Sequence, residues 1–384
     1  MISRAPYLFL LLILIPDLYL DQHYWRHKYS TSKRLLHWLP SILLTALTVK
    51  LTYEKDFIPD DPTILYIYLL LLGLIAIPKL VYVLFSILGL GTCKLFRSKR
   101  NYGNLIGAIL VPLIWYVIIY GSFVGFQKLE VNRHTYSSPD LPSAFNNYKI
   151  VLFSDAHVGT LTGSRQWMLQ RAVDSINALR PDMIVFTGDL QNLQPKELYK
   201  QIDILSTLKA KDGIYSVLGN HDYAQYVSCS DAEKAANCKE IISLERQLGW
   251  TVLLNDHKVI QRGKDHLVIA GMENDGDGKH FHQKGDISKT LSGTQGFTIL
   301  LEHDPSSWRR KIIPDGRAQL TLSGHTHKMQ FALFDWCPMS LTGKEFNGWY
   351  HEGSQSLFVT AGLGGLIPFR FDAPGEIVLI QLKR

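Results

Sequence analysis

The sequence predicts an N-terminal multi-span α-helical membrane region followed by an α/β domain. Long apolar runs fill the first third of the 384 residues, up to about Phe126. From Tyr148 onward, short β-rich apolar runs alternate with helical patterns, which is typical of domains in which helices cover sheets. Hydrophobic residues make up 46% of the chain and charged residues 19%, which excludes a disordered or fibrous protein. We therefore divide the chain into a transmembrane region (1–130), a linker (131–146) and a folded domain (147–384).

The membrane region contains four apolar runs, at residues 5–20, 35–51, 63–90 and 104–126. A helix of roughly 20 apolar residues crosses a bilayer core about 30 Å thick. The first run is interrupted by Pro16 and Asp17, so it is either a short span or a signal sequence. No small-residue cleavage site follows it, which favours the span. Lys79 in the third run is expected to extend towards the headgroups, with a functional intramembrane charge as the alternative.

The distribution of charge predicts the orientation. The first 134 residues hold 14 Lys/Arg and 7 Asp/Glu, whereas the rest holds 26 and 27, too balanced for a nucleic-acid-binding domain. Basic residues cluster at 26–34 and 94–100, and acidic residues, including Asp60, cluster at 54–61. Cytoplasmic loops are enriched in Lys and Arg. We therefore expect an integral protein of a bacterial inner or plasma membrane, with the lipid bilayer as a partner and an extracytoplasmic or periplasmic folded domain.

The order of elements is predicted next. Residues 131–146, which contain Pro139 and Pro142, are typical of a linker. Helices are expected near 164–179, 195–208 and 231–248. Strands are expected at 149–153, 182–187, 214–218, 251–254, 267–270, 297–301, 319–322, 357–360 and 376–382.

Five of these strands end in polar clusters rich in Asp, Asn and His. In open α/β sheets, ligands bind beyond the carboxyl ends of the strands, so these clusters are expected to converge. Mixed Asp, Asn and His ligands suit divalent Mn, Fe or Zn, and no cluster contains a thiolate. Alone, each cluster is more simply a strand-end turn; together they predict a metal site. The clusters are Ser154-Asp155-Ala156-His157, Gly188-Asp189, Gly219-Asn220-His221-Asp222, Glu302-His303-Asp304-Pro305 and Gly324-His325-Thr326-His327.

In this order, the clusters resemble the pattern of the calcineurin-like metallophosphoesterase family, over roughly residues 146–384. The resemblance implies an α-β-β-α four-layer sandwich that holds two divalent metal ions. It places Asp155, His157, Asp189 and His327 on the first ion. Asp189 bridges to the second ion, which the following residues would complete: Asn220, His303 and His325.

The resemblance also implies roles for three further residues. His221 contacts the phosphate or the leaving-group oxygen, and Asp222 orients it. The tail from Gly362 to Glu376 resembles a membrane-anchored bacterial subgroup of the family. There Arg370 is either a phosphate clamp or a surface arginine.

By this resemblance the protein is a membrane-anchored phosphoric ester hydrolase that attacks with a hydroxide bridging the two ions. The expected substrate is a phosphodiester or pyrophosphate, with a lipid-linked or envelope molecule suggested by the anchor. The alternatives are a nucleotide or cyclic-nucleotide phosphodiesterase and a non-catalytic, metal-stabilised sensor or binding module. No protein partner is inferable from the sequence.

Two features of the domain leave alternatives open. Cys229 and Cys238 either stay unpaired or form a disulfide, which an extracytoplasmic location permits. His280 and His282 lie in a polar loop that is either a lid over the metals or a solvated surface loop.

Overall fold

The computed structural model describes residues 5–57, 61–278 and 283–384. The chain divides into two compact units, the first ending at Val124 and the second beginning at Gly125. The predictions made for Asp60, His280 and His282 lie outside the described residues. The predicted succession of a helical region and a mixed α/β domain is confirmed.

The first unit contains a long helix over each predicted apolar run. The helices are α1 (Ala5–Leu20), α2 (Thr31–Leu51), α3 (Thr63–Phe96) and α4 (Tyr102–Phe123). Among the described helices, two are long and apolar enough to cross a membrane, Thr63–Phe96 with a mean hydropathy of 2.3 and Tyr102–Gln127 with 2.1. The helix α1 has only 16 residues, and α2 carries cations near both ends.

A buried ion pair joins three of these helices. The Lys79 ammonium on α3 lies 2.7 Å from Asp17 Oδ1 on α1, whose side chain is fully buried. From α2, His37 Nε2 lies 3.2 Å from the same oxygen, and Ser41 Oγ accepts a hydrogen bond from Lys79 Nζ. The ammonium is therefore directed at a buried carboxylate, and the prediction that Lys79 extends towards the headgroups is wrong. A charge in an apolar surrounding is stabilised by an opposite charge beside it.

The second unit contains twelve strands and five α-helices among its described residues. The helices are α5 (Gln166–Ala178), α6 (Ile202–Leu205), α7 (Asp231–Gln247), α8 (Ile287–Thr290) and α9 (Ile313–Asp315). The strands are β1 (Leu129–Ser137), β2 (Lys149–Phe153), β3 (Met183–Phe186), β4 (Ile214–Ser216), β5 (Thr251–Val252), β6 (Asp256–Arg262), β7 (Asp265–Gly271), β8 (Thr298–Leu301), β9 (Leu320–Ser323), β10 (Gly348–Glu352), β11 (Gln355–Val359) and β12 (Gly375–Lys383).

The strands form two six-stranded sheets, in the orders β1-β12-β2-β3-β4-β5 and β10-β11-β9-β8-β7-β6. In the first sheet β2, β3, β4 and β5 run parallel, with Ile150 paired to Met183 and Phe153 to Phe186. In the second sheet β7, β8, β9 and β11 run parallel. The carboxyl ends of the parallel strands therefore lie together at one edge of each sheet.

Alternate residues of the central strands enter different cores. Leu152 and Val185 of the first sheet share a buried cluster with Ile299 and Leu322 of the second. The intervening Val151 and Phe186, with their neighbours, contact the apolar faces of α5 and α7. Burial on both faces explains why these strands appear in the sequence as continuous apolar runs.

The predicted linker begins with a strand. Residues 131–137 belong to β1, which pairs in parallel with β12 along its whole length, from Leu129 opposite Gly375 to Ser137 opposite Lys383. Most of β1 is exposed or half-buried, because it is the edge strand of its sheet. Its polar composition explains why this strand was not predicted from the sequence.

The two cysteines next to the third polar cluster are free thiols. Cys229 precedes α7, and Cys238 lies within α7. The structure therefore corresponds to the unpaired alternative.

Candidate functional site

The five polar clusters follow the carboxyl ends of β2, β3, β4, β8 and β9. Parallel register brings neighbouring strand ends side by side, and backbone bonds join the loops beyond them: the amide of Asp155 donates to the carbonyl of Gly188, and the amide of Gly324 donates to the carbonyl of His303. The two sheets thereby bring together side chains that lie up to about 170 residues apart in the sequence. The seven predicted ligands meet at this place.

The first group of donor atoms comes from four residues. Asp155, His157, Asp189 and His327 each place one ligand atom within 4.8 Å of the others. The Nε2 atoms of His157 and His327 lie 3.3 Å apart, and Asp155 Oδ1 lies 3.3 Å from His327 Nε2. Asp189 Oδ2 lies 3.8 Å from His157 Nε2.

The second group shares Asp189 with the first. Asp189, His303 and His325 also meet within 4.8 Å, and Asp189 Oδ2 lies 3.3 Å from His303 Nε2. The side-chain oxygen of Asn220 lies 3.0 Å from His303 Nε2 and 2.8 Å from His325 Nδ1. Asp189 therefore lies between the two groups, and Asn220 adds a neutral oxygen to the second.

Local backbone conformation orients these side chains. Five of the seven residues have a left-handed φ, between 44° and 74°, although none is glycine. This conformation costs on the order of 1–3 kcal/mol per residue and is concentrated at functional sites. The five are Asp155, His157, Asp189, His325 and His327. Glycine is needed at two adjoining positions, because a β-carbon at Gly219 would collide with the Asp189 carboxylate and one at Gly324 with the Asp155 carboxylate.

Burial and neighbouring charge shift the pKa values in this site. Burial, together with the nearby Asp189 charge, raises the pKa of Asp155 to about 6 despite the opposing effect of His303. Burial, with His221 nearby, lowers the pKa of His157 to about 3. For Asp189, burial acts to raise the pKa, but the surrounding histidines outweigh it and lower the pKa well below its usual value. The protein groups of the site thus form an anionic centre surrounded by imidazoles.

This donor set fits divalent metal ions. Carboxylate oxygens, an amide oxygen and imidazole nitrogens converge, which is the ligand chemistry of Mn, Fe and Zn. The carbonyl of Thr187 lies 2.7 Å from His303 Nδ1, which fixes the ring so that Nε2 points towards Asp189. The residues present could therefore hold metal.

His221 and Asp222 lie beside this cluster and differ in function. The ring of His221 is 4.8 Å from that of His157, centre to centre. Its Nδ1 lies 2.5 Å from the carbonyl oxygen of Asn192, which orients the ring. The Asp222 carboxylate instead accepts hydrogen bonds from backbone amides, those of Asp189, Leu190, Gln191 and Gly219. Asp222 therefore holds the ligand loops together, and the prediction that it orients His221 is wrong.

Arg370 is neither a phosphate clamp nor a surface residue. Its side chain is fully buried, and its five N–H groups donate to backbone carbonyls only. The acceptors are the carbonyls of Ala361, Gly362, Gly364, Ala373 and Pro374. Arg370 therefore fixes the loop beside Asp155, since the carbonyls that it binds would otherwise be buried without donors.

Two residues at the site could not be predicted from the sequence. The Tyr226 hydroxyl accepts a hydrogen bond from Asn220 Nδ2 at 2.9 Å, which turns the amide oxygen towards His303 and His325. Glu197 accepts hydrogen bonds from the amides of Asn192, Leu193 and Gln194, and so fixes the loop that carries the Asn192 carbonyl. Neither residue belongs to a polar cluster in the sequence, so only the fold reveals their positions.

Comparison with known proteins gives two family matches. Residues 148–329 match the family model described as "Calcineurin-like phosphoesterase". Residues 2–126 match the one described as "Probable Calcineurin-like phosphoesterase, transmembrane domain". The described helices of the first unit and the metal-site strands of the second thus fall into separate matches.

Individual relatives match a large part of the chain. A zebrafish "Transmembrane protein with metallophosphoesterase domain" is 30% identical over 75% of this chain and 64% of its own length. The "Uncharacterized metallophosphoesterase YkuE" of Bacillus subtilis is 31% identical over 69% of this chain and 89% of its own length. The crystal structure of phosphopantetheinyl hydrolase from Mycobacterium tuberculosis has a TM-score of 0.35 and 11% identity, covering 58% of this chain and 91% of that one. This chain accordingly spans less than two thirds of the zebrafish protein.

Proposed function

The chain belongs to the calcineurin-like phosphoesterase family, with an N-terminal four-helix transmembrane region, and on this premise we propose that it is a membrane-anchored phosphoesterase dependent on two divalent metal ions. The proposal rests on the arrangement of the donor atoms. Those of Asp155, His157, Asp189 and His327 lie together, and a second group forms around the same Asp189. One carboxylate between two sets of donors suits a bridging ligand.

Each of the two ions would be held by one set of donors. The first set consists of Asp155, His157, Asp189 and His327. The second consists of Asp189, Asn220, His303 and His325. Mn, Fe and Zn are the candidates, because the sets combine imidazole with oxygen donors and contain no thiolate.

The bound cations would lower the pKa of a water nucleophile and offset the negative charge of the phosphoryl oxygens. The residues of the chain would hold the donors, orient the substrate and transfer a proton. Asp189 holds the two donor sets together, and Asn220 contributes an oxygen without adding charge. His221, whose Nδ1 faces the Asn192 carbonyl, presents Nε2 for a hydrogen bond to the phosphate or for protonation of the leaving group.

We propose a phosphodiester or pyrophosphate as the substrate, carried by a lipid-linked or envelope molecule. The membrane region supports this choice, because four helices exceed what is required to retain an enzyme at a surface. The folded domain is proposed to face away from the cytoplasm, since the basic segments 26–34 and 94–100 mark the cytoplasmic side. A reporter fused after Arg384 that is active only outside the cytoplasm tests this orientation, and activity of a cytoplasm-specific reporter there would refute it.

Hydrolysis of bis-p-nitrophenyl phosphate by the purified full-length protein tests the function. The parent is expected to turn over when Mn²⁺ is added and to stop when a chelator removes it. Asp189→Asn is expected to be inactive, whereas Asp174→Asn, on the exposed face of α5, serves as the matched control and is expected to remain active. A parent that binds metal but hydrolyses no phosphoester would instead support the sensor alternative.

A further inference from the structure

Exposed apolar side chains in the second unit concentrate in one place. Within the described part of this unit, ten large apolar side chains are exposed, and seven of them lie within 329–341 or at 366 and 367. Phe334 is 91% exposed. We define the apolar lip by the six that lie on two adjoining loops: Met329, Leu333, Phe334, Trp336, Leu366 and Ile367.

The two loops of the apolar lip form one hydrogen-bonded structure. The amide of Phe371 donates to the carbonyl of Gln330 at 2.9 Å, and the amide of Ala332 donates to the carbonyl of Phe371 at 2.8 Å. The side-chain amide of Gln330 donates to the carbonyl of Ile367 at 3.0 Å. The exposed side chains are thus held outward by fixed backbone.

The backbone of the first loop is also unusual. Four consecutive residues, His327 to Gln330, have a left-handed φ between 49° and 54°. Non-glycine residues keep this conformation only where surrounding contacts impose it, and such residues concentrate at functional positions. The outward direction of the loop is therefore a constrained feature of the fold.

The apolar lip borders the candidate metal site. Its first loop starts directly after His327, a member of the first donor group. Its second loop follows Gly362, where a β-carbon would contact the Asp155 side chain. The Thr160 hydroxyl, three residues beyond His157, donates to the carbonyl of Leu366 at 3.3 Å. A surface that contacts the lip therefore also lies next to the donor groups.

A short connection ties the second unit to an apolar helix. Only residues 124–128 separate α4 from β1, and five extended residues reach at most about 18 Å. Since α4 is long and apolar enough to cross a membrane, the second unit is held close to a bilayer. Contiguous exposed apolar residues indicate an interaction site, and Trp in particular is enriched at membrane interfaces.

We propose that the apolar lip inserts into the lipid surface of the bilayer to which the chain is anchored. Its aromatic and aliphatic side chains would lie at the boundary of headgroups and acyl chains. The adjoining metal site would then face phosphates at headgroup level, a consequence that rests on the proposed phosphoesterase function. The insertion itself does not depend on catalysis.

Depth-dependent fluorescence tests the insertion in the full-length protein. Phe334→Cys and, separately, Ile367→Cys are labelled with the fluorophore NBD, in a background in which Cys93, Cys229 and Cys238 are replaced by Ser. Val259→Cys on β6 is the matched control, since Val259 is a 53% exposed apolar residue outside the lip. The proteins are reconstituted in vesicles of phosphatidylethanolamine and phosphatidylglycerol, with and without doxyl-labelled lipid.

Both lip positions are expected to show blue-shifted emission and several-fold stronger quenching by doxyl lipid than position 259. Quenching at both positions no greater than at the control would overturn the proposal. Blue-shifted emission without lipid quenching would also overturn it, since it would indicate a protein as the occupant. Hydrolysis of bis-p-nitrophenyl phosphate by the unlabelled parent is measured separately, so that failure of the proposed function is distinguished from failure of the insertion.

Discussion

The Nδ1 atom of His221 lies 2.5 Å from the carbonyl oxygen of Asn192. Because a carbonyl only accepts hydrogen bonds, Nδ1 carries a proton, and Nε2 is left for the substrate side. The Tyr226 ring lies 4.5 Å from the His221 ring, centre to centre, and limits its movement. These contacts hold the His221 ring in an orientation that suits the proposed proton transfer, and His221 lies outside both donor groups.

The first prediction concerns His221. His221→Ala is expected to retain the metal content of the parent, because His221 belongs to neither donor group. Turnover of an alkyl phosphodiester, a poor leaving group, is expected to fall roughly 10²–10⁴-fold, the usual contribution of general acid catalysis. His351→Ala, at an exposed position on β10, is the control. Full activity of His221→Ala on this substrate would eliminate the acid role.

Arg370 is predicted to stabilise the fold and not to bind the substrate. Burial lowers its pKa to about 10, so the guanidinium stays charged at neutral pH and its hydrogen bonds are charge-assisted. Arg370→Lys has too few donors for the five carbonyls and is expected to cost roughly 3 kcal/mol or more, since buried acceptors lose their partners. Thermal unfolding measures this loss against Arg246→Lys, an exposed position on α7. A raised KM with unchanged melting temperature would instead support the phosphate clamp.

The raised pKa of Glu302 predicts that the stability of the protein depends on pH. Burial and the neighbouring Asp304 raise its pKa to about 8, above its unfolded value. A raised carboxyl pKa means that the folded state binds the proton more tightly, so this stabilisation is complete below about pH 4.5 and disappears as the pH rises through 8. The Glu302 carboxyl group accepts hydrogen bonds from the Asp275 amide and from the Ser307 hydroxyl. When Glu302 is protonated, its O–H can donate to Ser307 Oγ, and the Ser307 hydroxyl then donates to the carbonyl of Asp304.

Glu302→Gln reproduces these hydrogen bonds without a titrating proton. Its advantage in free energy of unfolding over the parent is expected to grow between about pH 5 and 8, by up to roughly 4 kcal/mol. Melting temperatures of the chelator-treated proteins across this range measure the effect. Parallel pH profiles for parent and variant would show that Glu302 does not titrate there.

The ion pair between Asp17 and Lys79 predicts how the stability of the first unit depends on charge balance. Lys79→Met leaves Asp17 without its ammonium partner and is expected to destabilise the unit by roughly 3–5 kcal/mol, the usual cost of breaking a buried pair. Adding Asp17→Asn removes the uncompensated charge, so the double variant is expected to recover much of the loss. Thermal stability of detergent-solubilised proteins provides the double-mutant cycle. Additive effects of the two substitutions would argue against direct pairing.

The sequence predicted the central strands well and the edge strands poorly. Lys149–Phe153 is a strand at the predicted residues, because burial on both faces gives a continuous apolar run. The strands β1, β6 and β10 were missed, and all three are edge strands. An edge strand exposes side chains to water, so Asp256–Arg262 resembles a polar loop in composition. Pairing with a neighbouring strand, which is a tertiary contact, is what defines it.

The residues of the site also divide into those that the sequence predicts and those that it does not. The polar clusters were predictable because they follow the apolar runs of parallel strands, and the resemblance to a known family singled out the donor residues within them. The partners of His221 and Asp222 were not, since Asn192 acts through its backbone carbonyl and Asp222 through backbone amides, which carry no side-chain signature. Arg370 was misassigned because an arginine in a glycine-rich tail resembles an anion clamp, whereas its acceptors are carbonyls placed by the fold.

The number of metal ions per chain decides whether the proposed two-ion site exists. Elemental analysis of the purified, active parent is predicted to find about two divalent transition-metal ions per chain, as expected for two donor sets joined by one carboxylate. Asp189→Asn is predicted to lose both ions together with activity, whereas Asp174→Asn keeps them. An active parent without stoichiometric transition metal would refute the two-ion site.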